Sequence, residues 1–250
     1  MKKTLGLIMD IGEEMLTSGA EVHRVEESIN LMCTALGAKR VEVFIITSSM
    51  VVTIFDEQEN SYTQTRRITS ITTDFEKLHK LSELSRNICN KSLTIEEIKD
   101  EFNLALKRKT YNFFFETLCY AGIAAAFTIF FGGNLAEMIV SFFIGVFVSF
   151  GNYISNIAVG NKIFSKFFCS MLETLLAYIC LKLGLIPRVD YVIIGNVMTL
   201  IPGIGLTNAL RDLFSGDSIA GLLRTIEAVL VALAIAAGYY LVTILGGIIL

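Results

Sequence analysis

The stretch YNFFFETLCYAGIAAAFTIFFGGNLAEMIVSFFIGVFVSFGNYI, residues 111–154, decides the fold class. It carries only two charged residues, Glu116 and Glu137. A helix needs about 20 mostly apolar residues to cross the hydrocarbon core of a bilayer. This stretch holds two such runs, 111–131 and 135–154, joined by the tight turn Gly132-Gly133-Asn134. Two spanning helices, back to back, are the reading.

Toward the C-terminus the pattern continues. Apolar runs at 164–185, 189–206 and 226–250 complete about five expected spans. Toward the N-terminus it stops. Residues 1–110 hold 15 of the 21 Lys and Arg and 17 of the 24 Asp and Glu. The expected fold is therefore a membrane α-helical bundle of about five transmembrane helices, 111–250, preceded by a small α+β soluble domain, 1–110. Charge is nearly balanced in both parts, and no basic patch argues for nucleic acid.

Basic residues set the expected orientation. Lys107, Arg108, Lys109, Lys162, Lys166, Arg211 and Arg224 fall on one side when the spans alternate, and only Lys182 and Arg188 on the other. That bias places the N-terminal domain in the cytoplasm and the C-terminus outside a multi-pass protein of the cell (plasma) membrane. The N-terminus makes a poor signal peptide, because Asp10, Glu13 and Glu14 soon break its apolar run.

In the soluble part, apolar residues from Leu5 to Leu36 recur at three- and four-residue steps, the period of an amphipathic helix. Thr17-Ser18-Gly19 interrupts it, so one bent helix or two are expected, with Gly37 as C-cap. VEVFII (41–46), MVVTIF (50–55) and SYTQTRRI (61–68) read as strands of a small antiparallel sheet, broken by the polar DEQEN (56–60). Asp74 is a candidate N-cap, and TIEE (94–97) a capping box. The cysteines, Cys33, Cys89, Cys119, Cys169 and Cys180, show no CxxC or metal spacing. His23 and His79 have no partner pattern, so no catalytic residue, metal or cofactor is expected. The cluster Glu21, Arg24, Glu26 and Glu27 reads either as a solvated helix face or as a contact surface.

A lone anchor would hold a domain at a membrane; five spans imply that the membrane part acts. Glu173 lies near the middle of the third expected span, where a charge costs about 2.5–3.5 kcal/mol on insertion scales. It is expected to face protein or a water-filled cavity, as a coupling or substrate residue or as an interhelical hydrogen-bonding group. Glu116, Glu137 and Glu227 lie nearer span ends, where interface placement is expected. Pro202 interrupts the apolar run Asn196–Leu206, with Thr199 before it and Gly203 and Gly205 after it. Proline removes a backbone donor and clashes with the preceding turn. Groups freed by a broken helix must meet protein, water or ligand, a recurrent transporter device; a simple kink or span end is the alternative. The polar segment Asn208–Arg224 is too charged to span. Its Arg211 can fork onto a substrate carboxylate or pair internally with Asp212 or Asp217.

Two stretches, SGAEVHRVEESI (18–29) and TLIPGIGLTNALRDLFSGDSIAGLLRTIEA (199–228), together with the domain order, resemble the threonine/serine exporter family. The resemblance implies a cytoplasmic domain followed by transmembrane helices and the export of amino acids such as threonine and serine; some two-component relatives are similar to succinate exporters. Position by position it points to Gly19, Glu21 and Arg24 in the first stretch. In the second it points to Pro202, Gly203, Asn208, Arg211, Asp212, Gly216, Asp217, Gly221 and Glu227. Members that carry both halves fused have more spans, so this chain looks like the larger subunit of the split form, which works with a small second membrane protein. The candidates for substrate or coupling-ion contact are thus Glu173, Thr199, Pro202, Gly203, Asn208, Arg211, Asp212, Asp217 and Glu227. A small amino acid or dicarboxylate is the expected substrate, lipid the surroundings, and an oligomer is compatible. Two other readings are a non-transporting assembly or sensor protein and a membrane-anchored hydrolase-like domain; the latter lacks a nucleophile–His–acid pattern.

Overall fold

The computed structural model describes residues 1–91, 93–107, 111–158 and 160–249. Arg108 and Lys109, two of the charges used for orientation, lie outside the described residues, as does the expected domain boundary at 110. The chain forms two compact units. One takes Met1–Lys109 together with Ile204–Ile226, the other Thr110–Gly203 together with Glu227–Leu250.

In the first unit, α1 (Lys2–Thr17) and α2 (Val22–Ala35) are two helices, separated where Thr17-Ser18-Gly19 interrupts the apolar period. The sheet follows as β1 (Arg40–Ile46), β2 (Ser49–Phe55) and β3 (Ser61–Arg67), antiparallel in the order β1-β2-β3. Ile46 pairs with Ser49 across the turn, and Phe55 with Ser61. The polar break is held by Asp56, whose Oδ1 accepts the N–H groups of Gln58 and Asn60 at 2.9 Å. Then come α3 (Phe75–Asn90) and α4 (Ile95–Leu106). Both expected caps form: Asp74 accepts from the Lys77 N–H at 3.1 Å, and Thr94 and Glu97 cap each other's backbone. Leu5, Ile8, Met15, Ile29, Met32, Met50 and Leu81 meet in one core. Arg66 of β3 bonds Asp10 of α1 at 2.9 Å.

The second unit holds α5 (Phe113–Phe130), α6 (Leu135–Ala158), α7 (Lys162–Lys182), α8 (Asp190–Leu200) and most of α10 (Ser218–Ile249). Among the described residues, four helices, α5, α6, α7 and α10, are long and apolar enough to cross a membrane; α8 with α9 (Gly203–Ser215) makes a fifth only if that broken pair is one span. Two expected boundaries are corrected. The segment 189–206 is not one helix, because Ile201-Pro202 ends α8. The last helix starts at Ser218 rather than 226, because the polar residues before 226 are accommodated by protein in the first unit.

Small residues let the helices of this unit approach closely, the usual means of packing where lipid removes the hydrophobic drive. A Cβ on Gly145 would stand 2.9 Å from the Ala121 Cα, and one on Gly238 only 2.5 Å from the Phe167 carbonyl oxygen. Glu137, expected at an interface, is fully buried instead. It closes a capping box at the start of α6: its N–H donates to Asn134 Oδ1 at 2.9 Å, and its Oε2 accepts the Asn134 N–H at 2.7 Å. The Arg188 guanidinium stands 3.6 Å from its other oxygen.

Candidate functional site

The residues singled out by sequence fall into two groups, one in each unit.

In the first unit, Ser18–Glu21 joins α1 to α2, and the stretch Gly19–His23 runs from this loop into the first turn of α2. Gly19 sits at a φ of +96°, and a Cβ there would meet the Thr72 carbonyl oxygen at 2.9 Å. Only glycine tolerates both conditions without strain. A helical hairpin, α9 and the first turns of α10, faces this loop. Gly216 (φ +100°) closes α9, with the Asp217 N–H donating to the Asp212 carbonyl at 3.0 Å. This is a Schellman cap. Gly221 lies where a side chain would strike the Ala209 carbonyl at 2.8 Å, so the two arms pack tightly.

Side chains of the hairpin hold successive residues of the loop. Asn208 Nδ2 donates to the Gly19 carbonyl at 3.0 Å. Arg224 Nη2 donates to the Ala20 carbonyl at 3.1 Å. Arg211 pairs with the Glu21 carboxylate. Asp212 Oδ1 accepts the Val22 N–H at 3.0 Å, and Asp217 Oδ2 lies 3.7 Å from His23 Nδ1. The Val22 N–H is one of the orphan donors at the start of α2; Glu21 at the N-cap supplies no side-chain cap. Asp212 therefore caps α2 from a distant part of the chain. Its second oxygen takes Arg224 Nη1 at 3.0 Å, with Asp212 fully buried and Arg224 nearly so. Both internal partners expected for Arg211 are engaged elsewhere, and its partner is Glu21.

The acidic cluster of α2 divides by role. Glu26 Oε1 accepts the Ile45 N–H at 2.9 Å, tying α2 to the sheet. Arg24 reaches Ser82 of α3 at 3.5 Å.

The second group lies in the membrane unit. Pro202 cannot donate to Met198, and the Gly203 N–H turns to the Ile201 carbonyl at 2.9 Å. The Thr199 carbonyl thereby released accepts the Tyr120 hydroxyl of α5 at 3.1 Å, while the Thr199 hydroxyl donates to Asn196 O at 2.7 Å. Asn196 is fully buried; its Nδ2 donates to Ser141 Oγ and to the Val192 carbonyl, each at 2.9 Å. Ser141 in turn meets Thr128 at 2.7 Å. Glu173 is fully buried on α7, and neither carboxylate oxygen has a hydrogen-bond partner among the described residues. Glu227 is exposed and takes no part in either group.

Sequence reasoning missed Tyr120, Ser141, Asn196 and the bond set of Arg224. A polar side chain inside an apolar span was the available signal for Asn196. Nothing local marks Tyr120, whose partner is freed by a proline 82 positions later.

A family model described as "Putative threonine/serine exporter" matches residues 6–246. Searches of the curated proteins and of the solved structures gave no match.

Proposed function

The chain belongs to the threonine/serine exporter family, and from that premise we propose that it is one subunit of a secondary exporter, working with a second, small membrane subunit of the same family. The substrate is a small amino acid of the threonine or serine kind, or a dicarboxylate such as succinate. Residues 1–110 lie in the cytoplasm and the C-terminus outside, following the bias of basic residues.

The observation that carries this reading is the break of α8. α8 ends at Ile201-Pro202, which takes the Thr199 carbonyl out of the helix ladder and onto the Tyr120 hydroxyl, and such half-helix ends recur where transporters contact ions and carboxylates. Glu173 supplies a coupling carboxylate. Thr199, Pro202 and Gly203 shape the break. The hairpin residues Asn208, Arg211 and Asp212 serve in this reading to hold the stretch Gly19–Val22, because their side chains are already committed to it, and Asp217 lies beside His23. Glu227 is left as an exposed residue with no assigned contact. An apolar groove of about 440 Å³ between α8 and α10, bordered by Val197, Ile201, Ala232 and Ala236, offers the partner subunit a face of helix size.

The test is efflux from proteoliposomes loaded with labelled threonine, serine or succinate. The full chain is reconstituted with and without a candidate small membrane subunit of the same family. Efflux of one of these substrates only when both are present is expected. A correctly assembled pair that moves none of them overturns the reading.

A further inference from the structure

We propose that the buried oxygens of Glu173 and Asn196 form a site for one small monovalent cation, a proton or Na+, in the membrane unit; the inference deepens the exporter reading by naming the bound ion.

The orphaned atoms carry the argument. Glu173 Oε1 and Oε2 and Asn196 Oδ1 are buried with no hydrogen-bond partner among the described residues. The Asn196 amide cannot be turned round to remove its orphan, because its Nδ2 faces the Val192 carbonyl, which only accepts. Native proteins seldom leave such acceptors unmet. All three atoms are acceptors, so what meets them is a donor or a cation, and the burial of a carboxylate among them favours a cation. Among the described residues no basic side chain stands within ion-pair distance of Glu173; the nearest charge acting on it is Lys166, two turns earlier on α7.

Register places the oxygens at one level. α6 and α7 run antiparallel, with Ser165 Oγ on Asn152 Oδ1 at 3.2 Å and Cys169 Sγ on the Val148 carbonyl at 3.9 Å. One further turn on each helix sets Glu173 opposite Ile144 and Gly145. Gly145 is packed tightly against α5, and the place its Cβ would take lies 3.5 Å from Asn196 Oδ1. The carboxylate and the amide oxygen therefore flank the same step of α6. The titratable groups around Glu173 are Tyr120 of α5 and Cys169 and Lys166 of α7. Tyr120 also holds the Thr199 carbonyl, so the site adjoins the break of α8.

The test uses the purified full chain and needs no transport. Infrared difference spectra are recorded while pH is raised, and again on replacing choline chloride by NaCl. In parallel, thermal unfolding is followed in both salts. For a proton site, the wild type shows a carboxylic-acid carbonyl band that titrates away with pH and is missing in Glu173→Gln. For a Na+ site, NaCl removes that band and raises the melting temperature, and Glu173→Gln abolishes both effects. In either case Asn196→Ala shifts the midpoint by roughly tenfold in cation concentration, as expected for one lost buried partner. If Glu173→Gln does not fold, Glu173→Asp replaces it and shifts the midpoint. A wild type with no Glu173-dependent band and no Na+ stabilisation overturns the site. Cation binding without efflux from the assembled pair would sink the exporter reading alone; efflux without any cation response would sink the site alone.

Discussion

Asp212 and Arg224 form an ion pair at 3.0 Å that is closed to solvent, and each also grips the backbone of one loop, Asp212 at the Val22 N–H and Arg224 at the Ala20 carbonyl. The pair is a clamp across 190 and 204 positions of sequence. Removing one member leaves the other charge buried and a backbone group without its partner. Asp212→Ala and Arg224→Ala should each destabilise the first unit by about 3–5 kcal/mol. In the double variant the two costs should overlap rather than add. Chemical unfolding followed by a first-unit probe checks this, and additive losses would show that the two residues act separately.

Arg211 offers a contrast. Its partner Glu21 is near, but more than half of the Arg211 side chain is open to solvent. Exposed ion pairs contribute little, so Arg211→Ala should cost less than about 1 kcal/mol of stability. Because Arg211 is assigned to the loop and not to substrate, the apparent KM for the exported compound should stay within about twofold of the wild type. A large rise in KM with unchanged stability would return Arg211 to the substrate site.

The local features of the chain were legible because each rests on neighbours in sequence. The Thr94–Glu97 box, the Asp74 cap and the break at Gly19 depend on residues three or four apart. A proline inside an apolar run, such as Pro202, interrupts the helix ladder whatever the fold around it. The two halves of the clamp were each visible as a cluster of charge and glycine, and the family resemblance marked both. Their mutual pairing was not visible, because hydrogen bonds between residues 19–23 and 208–224 leave no periodic trace. The burial of Glu137 was not visible either: its box with Asn134 is local, but Arg188 reaches it only through the fold.

The break of α8 predicts a coupled pair of variants. Alanine at 202 restores the N–H and allows the helix to continue, so the Thr199 carbonyl can find its partner within the helix. Pro202→Ala should leave stability equal or higher while efflux falls. Tyr120→Phe alone should cost about 1 kcal/mol, the usual worth of one such hydrogen bond. In the Pro202→Ala background the same change should cost almost nothing. Melting temperatures of the four proteins measure this coupling, and a Tyr120→Phe cost that is equal in both backgrounds would show that the Thr199 carbonyl is not what the hydroxyl serves.

Glu26 predicts a pH dependence in the first unit. Burial raises its carboxyl above the ordinary 4.5, against the lowering effect of the Ile45 N–H; Asp217 and Asp212 raise it further and His23 lowers it. The folded chain thus holds this proton more tightly than the unfolded chain does. The stability this group contributes is full below about pH 4.5 and is lost as pH rises through the folded value. Glutamine keeps an acceptor for Ile45 but has no proton to lose. Glu26→Gln should therefore lose less stability than the wild type as pH rises from the ordinary 4.5 through the raised folded value. At the upper end it should be at least as stable as the wild type. Unfolding of both proteins across that range decides the matter: two parallel curves would show that the folded and unfolded chains hold this proton equally, so that burial does not raise the Glu26 carboxyl.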